Sequence, residues 1–173
     1  MSLKEDVLKL KKEKNAIILA HYYVDEEVQK IADYIGDSFY LAKVASQTEA
    51  DRIVFAGVEF MGESAKILNP NKKVLMPDAF ADCPMAHMIT IKEIKEMREK
   101  YDDLAVVCYI NSTAEIKQYA DVCVTSSNAI KIVKALPQKN IFFIPDQNLG
   151  DFVRRQVPEK NVMTNYGHCP RHT

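Results

Sequence analysis

The chain has no excess of charge of either sign: 23 Lys and Arg against 24 Asp and Glu leave a formal net charge of −1. Binding to nucleic acid or to an acidic membrane is therefore not expected. Long apolar runs are missing too, with no stretch of the ~18 residues that a membrane-crossing helix requires. The first segment, LKEDVLKLKKEK, is charged where a secretory leader would be apolar, so a cytoplasmic location is expected. Cysteine is scarce, four residues in 173, and without an oxidising address these are expected as reduced thiols or metal ligands. What the chain does have is 47% hydrophobic content. That is enough to bury roughly 70% of its extended surface as one large or two small domains.

Two stretches are copies of one another. Ala16 to His87 carries IILAHYY, IADYIGDS, IVFAGVEFMGE, KKVLMP and CPMAH, and Ala105 to His172 carries VVCYIN, YADVCVTSS, IFFIPDQNLGD, KNVMTN and CPRH in the same order. Ala32-Asp33 matches Ala120-Asp121, Ser38 matches Ser126 and Gly62 matches Gly150, each 88 residues on, while Cys83 matches Cys169 at 86. The segments before each copy also match, with Thr90 and Glu93 spaced as a capping box at the second. A duplicated fold that delivers one cysteine per copy to equivalent places is a way to build a shared metal site.

Each copy alternates short apolar strand runs with amphipathic helices. The first reads as strand AIILA, a helix over EEVQKIADYI with Val28, Ile31, Ala32 and Ile35 on one face, a crossing at IGDS, a helix from Phe39, strand IVFAG, a helix around Met61 to Leu68, and strand KVLM. The second repeats this, with Ser112 and Glu115 in capping-box spacing before its first helix. The fold class is α/β: two three-layer αβα units, each with a parallel sheet of about four strands. The units span 1–89 and 90–173, each opening on a lead helix. The chain stops where a third unit would begin, so an incomplete chain is expected.

In open parallel sheets ligands bind beyond the carboxyl ends of the strands. His21 and Tyr23 follow the first strand of one copy; Tyr109 and Asn111 stand at the same places in the other. Asp37-Ser38 and Ser126-Ser127 fall at the second strand's end and the start of the next helix, where unpaired amides and a hydroxyl can hold an anion, although ordinary N-capping explains either alone. Cys83 and Cys169 each follow the fourth strand and precede proline; Cys108 and Cys123, inside VVCYI and DVCVT, are expected in the core. Two thiolates are too few for a structural zinc or a cubane cluster. A third from a further unit would leave one iron of a 4Fe-4S cluster without a protein ligand, open to act as a Lewis acid.

The motifs ILAHYY, IADYIGDS, GVEFMGESAKILNP, DCPMA, YINSTAEIK, TSSNA, PDQNLG and GHCP together resemble those of the quinolinate synthase family across the whole chain. The resemblance implies three homologous α/β units about a pseudo-threefold axis, each donating one cysteine to a 4Fe-4S cluster. It further implies condensation of iminoaspartate with dihydroxyacetone phosphate, losing phosphate and water, to quinolinate for NAD synthesis. The unstable iminoaspartate would come from an aspartate oxidase or dehydrogenase. By this resemblance Cys83 and Cys169 are two cluster ligands, and His21 and Tyr23 move protons. Asp37, Ser38 and Ser126 bind substrate oxygens, and Tyr109 and Asn111 orient the intermediate. Two other readings stand beside it: another three-unit iron-sulfur enzyme of the reductive dehydroxylase or diphthamide type, and a non-enzymatic module in which the two cysteines hold zinc or sense oxidation. The His21-x-Tyr23, Asp37-Ser38 and Tyr109-x-Asn111 set favours the first.

Overall fold

The computed structural model describes residues 2–170; His172, which closes the second copy, lies outside the described residues. Contacts divide the chain after Asp82 into two compact units. The first runs α1 (Leu3–Glu13), β1 (Ala16–His21), α2 (Glu26–Gln29), β2 (Tyr34–Gly36), α3 (Ser38–Gln47), β3 (Arg52–Ala56), α4 (Glu59–Leu68) and β4 (Lys73–Leu75). The second opens on a 3-10 turn (Pro84–His87) and runs α5 (Ile91–Lys100), β5 (Leu104–Tyr109), α6 (Ala114–Lys117), β6 (Val122–Val124), α7 (Ala129–Ala135), β7 (Asn140–Ile144), α8 (Gln147–Gln156) and β8 (Asn161–Thr164). Both sheets are four-stranded and parallel, ordered β2-β1-β3-β4 and β6-β5-β7-β8. This is the α/β architecture that the alternation predicts.

The central strands are apolar on both faces because helices cover both. In the second unit Ala105 and Val107 of β5 pack with Ala129 and Val133 of α7 and Val153 of α8. Leu104, Val106 and Cys108, on the opposite face, pack with Ile94 of α5 and Ile116 of α6. Polar ties repeat with the fold. The Ile18 amide donates to Asp33 Oδ2 at 2.8 Å and Lys11 Nζ donates to Asp33 Oδ1 at 2.6 Å. In the second unit Asp121 Oδ2 accepts from the Val106 amide at 2.7 Å and from Arg98 Nη2 at 3.0 Å. Lys72 Nζ donates to Thr48 O, and Lys160 Nζ to Leu136 O, 88 residues on in both partners. The lead helices start on matching capping boxes, Ser2 with Glu5 and Thr90 with Glu93.

Three local expectations change. The helix expected over EEVQKIADYI lasts only from Glu26 to Gln29, and Ile35 lies on β2, 38% exposed. Asp33 stops the helix by bonding Ile18 through both its amide and its carboxylate, which turns the chain into the strand. The cap of α6 is Thr113, whose hydroxyl accepts from the Ile116 amide, and not Ser112, which is fully buried and donates to Tyr109 O. Cys108 is in the core as expected, but Cys123 is exposed, because β6 is an edge strand whose short apolar run is only half covered.

Candidate active site

In each sheet the chain reverses its direction of travel between the first and third strands, so the crossovers on either side leave by opposite faces. Such a switch point opens a crevice at the strands' carboxyl ends. His21 closes β1 there. Its side chain is 9% exposed, and burial pushes its pKa below the ordinary 6.5 while Asp37 acts against that shift. The Tyr23 amide donates to His21 Nδ1 at 3.3 Å, which leaves the proton of the neutral ring on Nε2. The Tyr23 ring stands edge-on to the imidazole at 4.7 Å and is 81% exposed. The Tyr22 amide donates to Gly36 O at 3.3 Å and carries the β1–β2 ladder past His21, which brings Asp37-Ser38 alongside.

Asp37 is itself the N-cap of α3, accepting from the Tyr40 amide at 2.7 Å, and Ser38 is the first helical residue, half-buried. The amide that an anion would use in this unit is thus already taken by a carboxylate. In the second unit the equivalent position is not a helix start. Ser126 lies exposed in a turn ahead of α7, whose N-cap is Asn128. Around it Asn128 Oδ1 accepts from the Thr125 amide at 2.7 Å, and the Thr125 and Ser127 hydroxyls lie 2.8 Å apart.

Tyr109 ends β5 at the place of His21, with the Ile110 amide donating to Val124 O at 2.8 Å as Tyr22 does to Gly36. Asn111 Oδ1 is buried and has no hydrogen-bond partner among the described residues. An acceptor stranded in this way beside a strand end is a place for a donor-bearing ligand. The site residues therefore gather into two strand-end groups: His21, Tyr23, Asp37 and Ser38 in the first unit, Tyr109, Asn111 and Ser126 in the second.

The two cysteines occupy matching local frames. Ala81 O accepts from the Glu59 amide at 2.7 Å, and Gly167 O from the Gln147 amide at 2.7 Å. Each cysteine comes two residues after its carbonyl, is half-buried, and precedes proline. The offset of 86 follows, since the second copy loses two residues between the matched strand residues Leu75 and Met163 and these carbonyls. Within the second unit the segment after Cys83 meets the loop before Cys169: Asn165 Nδ2 donates to Met88 O at 2.7 Å, and the His168 amide to Met88 Sδ at 3.4 Å. Gly167 has no room for a side chain, because a Cβ there would lie 2.2 Å from Pro145 O and 3.0 Å from Met88 Cβ. Asn165, 7% exposed with an unpartnered Oδ1 beside this loop, is a buried polar residue that the sequence did not flag; the first copy has Pro77 there, so no repeat marks it.

Half-buried thiols in duplicated frames suit a soft metal or an iron-sulfur cluster. Among the described residues no three His, Cys, Asp or Glu side chains converge as a complete metal site. Each of the two thiols has the chemistry of one ligand in a larger set. No helix among them is long and apolar enough to cross a membrane.

A family profile described as quinolinate synthetase A protein matches residues 5–173. A quinolinate synthase of Fusobacterium nucleatum subsp. nucleatum is 66% identical over 170 residues, covering 98% of this chain and 57% of that protein. Those of Aquifex aeolicus and Caldicellulosiruptor bescii are 58% and 54% identical over 170 residues, with 53% and 56% of their lengths covered. The chain spans about half the length of these relatives. With the profile matched along nearly all of it, the chain belongs to the quinolinate synthetase A family.

Proposed function

We propose that the protein of which this chain forms two α/β units is a quinolinate synthase, a cytoplasmic transferase of NAD biosynthesis. It condenses iminoaspartate, delivered by an aspartate oxidase or dehydrogenase, with dihydroxyacetone phosphate. A third unit, related to these two by pseudo-threefold symmetry, supplies the third thiolate of a 4Fe-4S cluster, with Cys83 and Cys169 as the other two. The observation that carries this reading is the repeated frame of those cysteines, each fixed two residues after a carbonyl bonded at 2.7 Å to the first turn of the preceding helix. When bound, the cluster supplies Lewis acidity at an iron without a protein ligand.

The chain's own residues handle binding and protons. His21, neutral at physiological pH with its proton on Nε2, gives and takes a proton at that atom as carbon-carbon bond formation and dehydration proceed. Tyr23 presents its hydroxyl beside the imidazole to order a substrate hydroxyl or keto group. Asn111 Oδ1 accepts from a donor on the intermediate, with Tyr109 alongside. Ser38 and Ser126 offer hydroxyls to carboxylate or phosphate oxygens. Asp37 acts mainly through His21, whose charged form it favours.

The test uses full-length protein prepared without oxygen. Cys83→Ala and Cys169→Ala are each expected to lose bound iron and sulfide, and His21→Asn to keep the cluster while losing ~10²–10⁴-fold in quinolinate formation. The 173-residue chain alone is expected to hold no intact cluster and to make no quinolinate. Iron and sulfide retained at wild-type levels in both cysteine variants would overturn the assignment.

A further inference from the structure

Cys108 and Cys123 are register partners on β5 and β6, so their side chains leave the same face of the sheet side by side. Neighbouring strands lie about 4.8 Å apart, within the ~4.4–6.8 Å between Cα atoms that a disulfide spans. Their surroundings are unequal. Cys108 has no exposed surface and lies in the layer formed with Ile94, Val106 and Ile116, whereas Cys123 is exposed on the edge strand. Interaction between the two thiols, with burial second, pushes the Cys108 thiol up, and the same interaction, against burial and helped by nearby Lys117, brings Cys123 down to about 7.

An exposed, readily ionised thiol next to a buried, reluctant one has the division of labour of a dithiol that attacks with one sulfur and resolves with the other. The scaffold does not require sulfur here. At the same register pair the first unit has Ala20 and Ile35, and it builds the same β1–β2 ladder with alkyl side chains.

We propose that Cys108 and Cys123 are a redox-active pair, which small-molecule disulfides of the glutathione type convert to a reversible β5–β6 disulfide. The Cys123 thiolate attacks one sulfur of the disulfide and expels a thiolate, leaving a mixed disulfide on Cys123. Cys108 then attacks the Cys123 sulfur and gives its proton to the departing second thiolate, which leaves as a thiol. Two electrons and two protons pass from the protein dithiol to the small disulfide, which leaves as two thiols. The location links the pair to the strand end that carries Tyr109 and Asn111. Cys108 Sγ lies 3.4 Å from Tyr109 O, and oxidation removes its proton from that carbonyl while the Ser112 hydroxyl, also on Tyr109 O at 2.9 Å, stays.

The test treats the native chain with oxidised glutathione, alkylates remaining thiols in denaturant, and maps peptides by mass. The expected product joins the Cys108 and Cys123 peptides, retains no glutathione on either, and returns to two alkylatable thiols with dithiothreitol. Cys108→Ala, which installs the first unit's residue, is expected to fold and to stop at a glutathione adduct on Cys123. Cys123→Ser is expected to form neither adduct nor cross-link at Cys108. Glutathione left on Cys123 in the wild-type chain without a cross-link, or a cross-link from Cys123 to Cys83 or Cys169, overturns the proposal.

Discussion

Removing the Asp121 carboxylate should cost far more than its position near the surface suggests. Its Oδ2 accepts from the part-buried Val106 amide at 2.7 Å and from Arg98 Nη2 at 3.0 Å, so one atom ties β5, α5 and the turn into β6. In Asp121→Ala the amide loses a charged acceptor, at about 1.5–3 kcal/mol, and the exposed ion pair adds 0–1 kcal/mol. The sum is ~2–4 kcal/mol. Asp121→Asn keeps an oxygen for the amide and gives up only charge, so about 1 kcal/mol is expected. Urea unfolding gives the global loss, and hydrogen exchange at Val106 gives the local one, since this amide should gain the most exchange in the alanine variant. Asp33, with its bonds to Ile18 and Lys11, should show the same order in the first unit. Equal losses for alanine and asparagine, or an unchanged Val106 amide, would refute the argument that a backbone tie is the reason for an aspartate here.

The matched glycines should respond differently. A Cβ on Gly150 would sit 2.4 Å from Thr164 Cγ2 and 3.1 Å from Phe143, so Gly150→Ala should destabilise by ~1–3 kcal/mol, and Thr164→Ser should relieve it by removing the methyl. On Gly62 the obstacle at 2.2 Å is the Met76 sulfur, which can swing away, so Gly62→Ala should change the urea midpoint little. His21 should titrate by NMR below 6.5, and Asp37→Asn, which keeps a capping side chain, should lower the midpoint further. Because the unfolded chain binds that proton more readily than the folded one, His21 favours unfolding as pH falls below about 6.5, and His21→Asn should flatten this part of the stability profile. Alkylation of Cys123 should rise with pH to a plateau with a midpoint about 7, and Cys108→Ala should move that midpoint up by removing the neighbouring thiol that lowers it.

The repeat was legible from letters alone, and with it the strand count, the parallel sheets and the strand-end residues. Its causes were not. Asp33 and Asp121 align in the sequence, but that each holds the amide of the preceding strand depends on a contact fifteen residues away. Helical periodicity continued through Ile31 and Ile35 because it records which residues are apolar and not where Asp33 is captured. Ser112 and Thr113 both offer a capping hydroxyl, and only the burial of Ser112 against Tyr109 O decides between them. Cys123 read as core because DVCVT is apolar, whereas exposure depends on strand order, and that order places β6 at an edge. Asn165 had no counterpart in the first copy and so no signal at all.

What the two units share and where they differ separates scaffold from chemistry. The ties that hold strands to helices recur with the same partners: Asp33 and Asp121 on strand amides, Lys72 and Lys160 on carbonyls, Gly62 and Gly150 beneath the last strand. Most residues that face the strand ends do not recur, since His21 becomes Tyr109, Tyr23 becomes Asn111 and Asp37 becomes Thr125, while Ser38 is kept as Ser126. A frame repeated under a changed surface is what a duplicated protein needs if each unit is to bring different groups to one reaction. At that end the serine and the cysteine repeat, the cysteine with its proline and its anchored carbonyl. Groups that meet different parts of a substrate need different chemistry, which a changed surface on a repeated frame supplies. By the same logic Cys108 and Cys123, present in one unit where the other has Ala20 and Ile35, belong with the chemistry and not with the frame.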